Sequence, residues 1–253
     1  MSYLPGKFIW FELATPDVAK ARAFYEPLFG WHVENMPMGD QPYPIIHNGS
    51  QGIGGLAPAK AGERSRWISY ISVLDVDKTW QAALSAGAQA LSPPTDYGPV
   101  GRGAAIVDPT GAAVSLWHSN EADRPDPESR PFGDWYWDEL WTHDAKKAVA
   151  FYEKVFGYTH EEMKVPGQQT PYLILNAGGK GRGGVFQATD KSVPTQWVPY
   201  VGVADCDATV AKAAQLGATV CMSAMDIANV GRVAAVVDPQ GATIAFIQPA
   251  PGM

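Results

Sequence analysis

The chain has 253 residues, of which 46% are hydrophobic and 18% are charged, and its formal net charge is -7. This composition is typical of one or two globular domains with apolar cores. Because no long basic run occurs, we exclude nucleic acid as an expected partner. Two cysteines cannot build a disulfide framework or a cysteine-based zinc site.

The N-terminal residues have neither a basic segment nor a long apolar run, so they do not resemble a secretory signal. No stretch approaches the length of a membrane span. We therefore expect a cytoplasmic protein that has no membrane partner.

The chain opens with a strand pattern followed by a helix pattern. Residues 7–14 alternate between apolar and polar side chains as a strand does. The next segment has apolar residues at helical spacing, with Thr15 as the expected N-cap, Pro16 as the first helical residue and Gly30 at the end. Three short strands are then predicted, at residues 31–36, 43–48 and 51–57.

A second round of the same pattern follows. It predicts a strand at 67–73 and a helix at 76–88, and then three strands at 89–92, 102–107 and 112–117. The last two strands are joined by the turn Asp108-Pro109-Thr110-Gly111, in which Pro sets φ and Gly permits a positive φ. Each round is thus one βαβββ unit.

The second half of the chain repeats the first. The helix segment contains AFYEPLFGW in the first half and AFYEKVFGY in the second, and Trp67 and Asp108 recur as Trp197 and Asp238. A period this long indicates a duplicated domain rather than a solenoid of short repeats. We predict two βαβββ units in each of two domains, at residues 1–120 and 132–253, with a Pro-rich linker at 121–131.

These features together resemble the vicinal oxygen chelate superfamily, which includes glyoxalase I, bleomycin-resistance proteins, fosfomycin-resistance proteins and extradiol dioxygenases. The resemblance rests on the paired βαβββ units, the AFYxxxFG helix, a GGL or GGV turn and the Asp-Pro-x-Gly ending, in both copies. It implies an α+β fold in which four βαβββ units form two cupped mixed sheets with helices on the outer faces. The resemblance also implies that a ligand lies inside the cup, where metal-dependent members hold a divalent ion.

The same resemblance places metal ligands at three positions of each copy, and this chain departs from the pattern at all of them. We call them the usual ligand positions, and they hold Trp10, Trp137, Ile68, Val198, Ser115 and Ala245. Indole offers only an N–H donor, and none of the other side chains is a good ligand for a divalent cation. We therefore predict no cofactor and no metal, with one divalent metal as the alternative.

Glu12 and Glu139 occupy equivalent positions, two residues beyond Trp10 and Trp137, so strand alternation places them on the same face as those tryptophans. A carboxylate inside a cup needs a partner or has a raised pKa. Each glutamate is therefore a structural carboxylate held by neighbouring donors, a ligand-binding or catalytic acid/base, or part of a shifted metal site. Glu12 and Glu139 are the candidate catalytic residues.

Further candidates for ligand binding lie inward by strand parity or recur between the copies. They are Trp10, Trp137, Tyr70, Tyr200, Trp117, Arg102 and Arg232. The aromatic rings would stack on a flat ligand. The arginines, which recur in a Val-Gly-Arg motif, would neutralise the glutamate pair, grip an anionic group of the ligand, or lie on the surface.

The five histidines do not recur at equivalent positions of the two copies; they are His32, His47, His118, His143 and His160. A metal site needs several ligands that converge on one point. We therefore expect each histidine to be structural or exposed.

Three functions remain open. The first is a binding protein that holds a small organic molecule in an aromatic-lined cup without the metal, as bleomycin-resistance relatives sequester their ligand. The second is a lyase, isomerase or dioxygenase that uses Glu12 or Glu139 as acid/base or in a shifted metal site. The third is an interaction module, as a monomer or homodimer. We favour small-molecule binding because the usual metal ligands are missing, and sites rather than folds carry function.

Overall fold

The computed structural model describes residues 2–38, 41–59, 62–165 and 170–251. Within these ranges one βαβββ pattern occurs four times, as modules 1 to 4 in chain order. Module 1 contains β1 (Phe8–Thr15), α1 (Val18–Phe29), β2 (His32–Met38), β3 (Gln41–Asn48) and β4 (Gln51–Pro58). Module 2 contains β5 (Arg66–Ser72), α2 (Val76–Ser85), β6 (Gln89–Asp96), β7 (Gly101–Val107) and β8 (Ala113–Ser119).

The second half of the chain has the same elements in the same order. Module 3 contains β9 (Trp135–Thr142), α3 (Ala145–Phe156), β10 (Thr159–Met163), β11 (Tyr172–Ala177) and β12 (Lys180–Gln187). Module 4 contains β13 (Gln196–Gly202), α4 (Cys206–Gln215), β14 (Thr219–Ile227), β15 (Gly231–Val237) and β16 (Thr243–Pro249). Among the described residues, no helix has both the length and the apolar character that crossing a membrane requires.

The strands form two mixed sheets of eight strands each. Their orders are β2-β3-β4-β1-β5-β8-β7-β6 and β10-β11-β12-β9-β13-β16-β15-β14. In every module the first strand runs parallel to the last, and the last three strands pair in antiparallel fashion. The predicted α+β fold of four βαβββ units in two mixed sheets is confirmed.

The chain divides into two compact units, and each takes modules from both sequence repeats. The middle unit comprises Met1–Ile9, Ile68–Asp126 and Trp137–Trp197, and so contains most of modules 2 and 3. The terminal unit comprises Trp10–Trp67, Pro127–Tyr136 and Val198–Met253, and so contains most of modules 1 and 4. The predicted domain boundaries, at 1–120, 121–131 and 132–253, follow the order of the repeats along the chain and stay a prediction.

An aspartate begins each of the four helices, which corrects the sequence prediction for α1. Asp17 rather than Thr15 is the N-cap of α1, and its carboxylate accepts a hydrogen bond from the Lys20 backbone N–H at 3.0 Å. Thr15 is instead the last residue of β1, where its hydroxyl accepts a hydrogen bond at 2.9 Å from Ser65. Both residue types cap helices, so only the observed end of the strand distinguishes them. Gly30 ends α1 at φ 75°, as predicted.

A buried Tyr–Asp–Trp network explains three of the repeated motifs in the terminal unit. Tyr25, from the Phe-Tyr pair of α1, donates to Asp238 Oδ2 at 2.9 Å and accepts from Trp67 Nε1 at 3.1 Å. The other oxygen of Asp238 accepts backbone N–H groups of its own Asp-Pro-x-Gly turn. Burial, followed by the nearby Asp238 charge, raises the pKa of Tyr25 well above its ordinary value.

The middle unit contains the matching network. The Tyr152 hydroxyl donates to Asp108 Oδ2 at 3.0 Å and accepts from Trp197 Nε1 at 2.7 Å. Each network therefore ties a helix of one repeat to the Asp-Pro turn of the other repeat. The motifs that mark the repeats in the sequence are fold-determining residues.

Candidate functional site

The terminal unit carries three hydrogen-bonded side chains that we call the Trp–Tyr–Glu triad. Trp10 Nε1 donates to the Tyr43 hydroxyl at 3.1 Å, and this hydroxyl donates to Glu12 Oε2 at 2.7 Å. Trp10 and Glu12 lie on β1 and Tyr43 lies on β3, so the triad joins two strands that are separated by β4. All three side chains are partly exposed.

A glycine makes the triad possible. Gly55 on β4 is in register with Glu12 on one side and with Ile45 on the other. A Cβ atom at Gly55 would overlap the Tyr43 hydroxyl, so a bare backbone is needed where the phenol crosses β4. The GGL motif, expected to be a turn, therefore lies within β4, where the bare backbone of Gly55 lets Tyr43 reach Glu12.

The middle unit repeats part of this arrangement. Trp137 Nε1 donates to the Tyr172 hydroxyl at 2.8 Å. A Cβ atom at Gly184 on β12 would overlap this hydroxyl, just as at Gly55 in the first copy. Both tryptophans predicted to bind ligand thus donate to a tyrosine. The sequence showed that Tyr43 and Tyr172 recur at the start of a strand, but it left open whether they rim the cup or merely pack.

The two glutamates lie in different surroundings. Glu139 is 9% exposed, and its Oε2 accepts a hydrogen bond at 2.5 Å from Trp141 Nε1. The first copy has Ala14 at the position of Trp141 and has no indole to donate there. Glu12 is therefore the more accessible of the two predicted catalytic carboxylates.

A second aromatic group lies in the middle unit. The Tyr70 and Trp117 rings meet edge to face with centroids 6.0 Å apart, and Tyr97 lies 5.5 Å from Trp117. Tyr97 is 43% exposed and was not predicted. Tyr200, by contrast, is 5% exposed in the terminal unit. The ligand-binding roles of Tyr70, Trp117 and Tyr200 stay predictions.

The two predicted arginines bind aspartates. Arg102 makes a bidentate pair with Asp77, with Nε–Oδ2 at 2.7 Å and Nη2–Oδ1 at 2.8 Å. Arg232 pairs in the same way with Asp207 and also bonds Asp226. The hydrogen bond from Arg102 holds the pKa of Asp77 below its ordinary value.

In these pairs the arginines contact aspartates rather than Glu12 or Glu139, whose neutralisation was one of the three roles predicted for them. Asp77 and Asp207 lie in the first turns of α2 and α4, where the helix dipole stabilises a negative charge. Nothing in the sequence links these aspartates to an arginine about 25 residues away. A ligand-binding role for Arg102 and Arg232 stays a prediction.

The usual ligand positions hold side chains that do not fit a divalent cation. Trp10 and Trp137 present N–H groups that donate to tyrosines. The other four are buried and offer at most one hydroxyl: Ile68, Val198, Ser115 and Ala245. None of the six provides the imidazole or carboxylate that holds such a cation in proteins, so we derive no chemical step from a metal at these positions. The absence of a cofactor stays a prediction.

Sequence reasoning missed one group of potential metal ligands. His32, Glu34 and His47 place one ligand atom each within 4.8 Å of one another. His32 and His47 are direct partners in the antiparallel pairing of β2 with β3. Assigning the register of this hairpin would have shown that the two histidines converge, whereas comparison of the two copies could not.

Comparison with known proteins places this architecture in a family. The sequence model of the Glyoxalase/Bleomycin resistance protein/Dioxygenase superfamily matches residues 7–116, and that of the Glyoxalase-like domain matches residues 137–247. CFP32 of Mycobacterium tuberculosis (strain CDC 1551 / Oshkosh), named provisionally as a glyoxylase, is 38% identical over 98% of this chain and 97% of its own length. The chain belongs to the glyoxalase/bleomycin resistance protein/dioxygenase superfamily.

One further sequence relative and one solved structure are also similar to this chain. The anthracycline biosynthesis protein DauV of Streptomyces sp. (strain C5) is 28% identical over 97% of this chain and 94% of its own length. The Mn(II)-bound glyoxalase from Novosphingobium aromaticivorans superposes with a TM-score of 0.61 at 14% identity, covering 98% of this chain and 83% of that one. The structural similarity shows that the two proteins share a fold.

Proposed function

We propose that this glyoxalase-superfamily protein binds a flat organic molecule against the Trp–Tyr–Glu triad, without a metal at the usual ligand positions. One observation carries the proposal. Trp10 stands at a usual ligand position, and it is hydrogen-bonded through Tyr43 to Glu12. An indole ring, held next to a polar acceptor, thus stands where the family resemblance implies a metal ligand.

The triad supplies what a small-molecule site needs. The indole and phenol rings give apolar surface for stacking, and the Glu12 carboxylate gives an acceptor that orients a ligand. Hydrogen bonds hold the Tyr43 hydroxyl to both Trp10 and Glu12, so little side-chain freedom remains to be lost on binding. Such preorganisation favours a rigid ligand.

The triad of the terminal unit is favoured over its counterpart in the middle unit. Trp10, Tyr43 and Glu12 are all partly exposed, whereas Glu139 is buried beneath the Trp141 N–H. We expect one ligand per chain rather than two.

The aromatic rings of the Trp–Tyr–Glu triad and the name of the relative DauV together suggest the chemical class of the ligand. DauV is named for anthracycline biosynthesis, and anthracyclines are fused-ring aromatic compounds. Stacking on Trp10 is suited to such a planar ring system, and Glu12 is suited to a ligand hydroxyl or amine donor. We propose a polycyclic or phenolic aromatic compound as the ligand.

Titration tests this proposal. An anthracycline and a panel of smaller phenols are titrated into the full chain, with tryptophan fluorescence as the readout. We expect saturable binding by at least one compound, with affinity at least tenfold weaker in Trp10→Leu and reduced in Glu12→Gln. The matched control is Trp137→Leu, which removes the equivalent indole of the other copy and should leave the affinity unchanged. Failure of the whole panel to saturate, or equal weakening by both tryptophan variants, would contradict the proposal.

A catalytic role for Glu12 is the second candidate. The 2.7 Å hydrogen bond from the Tyr43 hydroxyl to Glu12 favours it, because a carboxylate beside a phenol can accept a proton from a bound ligand while the phenol donates one. Compounds that bind are incubated with the wild type and with Glu12→Gln, and products are sought by mass spectrometry. Product formation that is lost in Glu12→Gln, with binding retained, would support catalysis; recovery of every ligand unchanged would support binding alone.

A further inference from the structure

The β2–β3 hairpin presents two imidazoles and a carboxylate on one face. His32 and His47 are cross-strand partners, and their rings stack with centroids 5.0 Å apart and an interplanar angle of 18°. Glu34 lies two residues beyond His32 and therefore on the same face of β2. Its Oε1 is 3.3 Å from His32 Nε2. We call these three residues the His–Glu–His cluster.

We propose that the His–Glu–His cluster is a binding site for one first-row divalent transition-metal ion. The three ligand atoms lie within 4.8 Å of one another. Ligands bound to a metal at about 2.0–2.1 Å stand roughly 3 to 3.5 Å apart, so small side-chain rotations would complete the site. His32 and Glu34 are free to rotate in this way, because their side chains are 47% and 61% exposed.

The surroundings of His47 orient it as a ligand. Its Nδ1 lies 3.2 Å from the carbonyl oxygen of Ile45. Because a carbonyl only accepts, Nδ1 carries the proton in this contact, and Nε2 keeps the lone pair that a metal requires. Gly52 on β4 lies beside this nitrogen, since a Cβ atom at that position would be 3.4 Å from His47 Nε2.

The donor set determines the class of metal. Two imidazoles with one carboxylate suit Zn²⁺, Ni²⁺, Co²⁺ or Cu²⁺, whereas Mg²⁺ and Ca²⁺ prefer oxygen donors alone. Three protein ligands on an exposed face leave coordination positions open to water or to an anionic group of a ligand. The site is separate from the usual ligand positions, which lie on other strands, and it goes beyond the proposed binding of an organic molecule.

The second copy lacks this donor set. In the β10–β11 hairpin, Thr159 pairs with Asn176, and Glu161 occupies the position that Glu34 has in the first copy. Two of the three ligands are therefore replaced by residues that bind these metals weakly. The second copy also shows which residues the hairpin tolerates, because Thr and Asn at these two positions are compatible with the same pairing.

Calorimetric titration of the untagged full chain with Zn²⁺ and Ni²⁺, after removal of bound ions with a chelator, tests the site. We expect about one ion per chain for the wild type, at least tenfold weaker binding in the double variant His32→Thr/His47→Asn, and a rise in Tm on adding metal that the variant loses. The control is His160→Thr, which removes an exposed histidine that pairs with Glu153 and should bind metal as the wild type does.

Three results would overturn the assignment. They are the absence of saturable binding by the wild type, equal binding by the double variant that retains its folded Tm, and loss of binding in Glu12→Gln with the double variant unaffected. The last result would place the ion at the Trp–Tyr–Glu triad. The fluorescence titration of organic ligands has a different readout, so the two proposals fail independently.

Discussion

Asp138 is a buried carboxyl group in the apolar core of the middle unit. It is 1% exposed, and neither of its oxygens has a hydrogen-bond partner among the described residues. Desolvation raises its pKa from 3.8 to about 8, and the nearby Ser69 hydroxyl and Glu139 N–H oppose this shift without reversing it. The first copy has Phe11 at the equivalent position. Asp138 is therefore protonated at neutral pH.

Replacing this carboxyl group changes how stability depends on pH. Because the folded-state pKa lies above the unfolded value, the folded protein binds the extra proton, and its free energy of unfolding falls as the pH rises from about 4 to about 8. Asp138→Asn cannot ionise, so at pH 8 we expect it to exceed the wild type in free energy of unfolding by at least about 1 kcal/mol. Urea denaturation at pH 5, 6.5 and 8 measures this difference.

The control for this experiment is Asp96→Asn, at an exposed carboxylate. It should leave the pH profile of the wild type unchanged. A profile of Asp138→Asn that runs parallel to that of the wild type would show that Asp138 does not titrate in this range.

At the scale of single residues, the sequence predicted which side of a strand a residue lies on better than it predicted that residue's hydrogen-bond partners. Alternation along β1 correctly placed Trp10 and Glu12 together, because side chains two apart in a strand share a face. It could not show that Tyr43 bonds both residues, since that contact depends on the strand order β3-β4-β1 and on the missing side chain at Gly55. The same alternation places Trp141 on the face of Glu139, but only the structure shows that its indole N–H bonds that carboxylate and so distinguishes Glu139 from Glu12.

At the scale of elements, the Tyr–Asp–Trp networks fix each long helix against a turn. In Tyr25→Phe, the buried Asp238 carboxylate loses a donor and the Trp67 N–H loses an acceptor. We expect the free energy of unfolding to fall by about 1–3 kcal/mol, the cost of leaving buried polar groups unpaired. Chemical denaturation measures it.

Tyr136→Phe is the matched control for this substitution, because the hydroxyl that it removes bonds the Arg130 carbonyl in an exposed contact. It should change the stability by less than about 0.5 kcal/mol. Equal effects of the two substitutions would show that the buried network does not stabilise the helix.

The helices and strands themselves were largely predictable. Hydrophobic periodicity located all five elements of module 1 within a few residues, because each element buries one side against a core. The predictions that were missed involve pairs distant in sequence. Arg102 on β7 bonds Asp77 on α2, and His32 pairs with His47 across the β2–β3 hairpin. Periodicity along one segment determines neither the pairing of a helix with a strand nor the register of a hairpin.

At the scale of the whole molecule, the repeats along the chain differ from the units in space. The sequence predicted four modules in order, and these are observed. It did not predict that each compact unit would combine modules from both repeats, so that Tyr25 of the first module bonds Asp238 of the last. Sequence similarity between repeats reports their common origin and not which of them pack together.

The proposed function requires that the terminal unit bind an organic ligand without a metal at the usual ligand positions. The most direct test is to measure the Kd of a ligand found in the fluorescence titration, once with the wild type in excess EDTA and once with Mn²⁺ in excess. We predict saturable binding in EDTA, with Kd values that agree within about threefold, because Trp10, Tyr43 and Glu12 make the contacts themselves. Binding that disappears in EDTA and returns with Mn²⁺ would show that the ligand binds through a metal and would contradict metal-free binding at the Trp–Tyr–Glu triad.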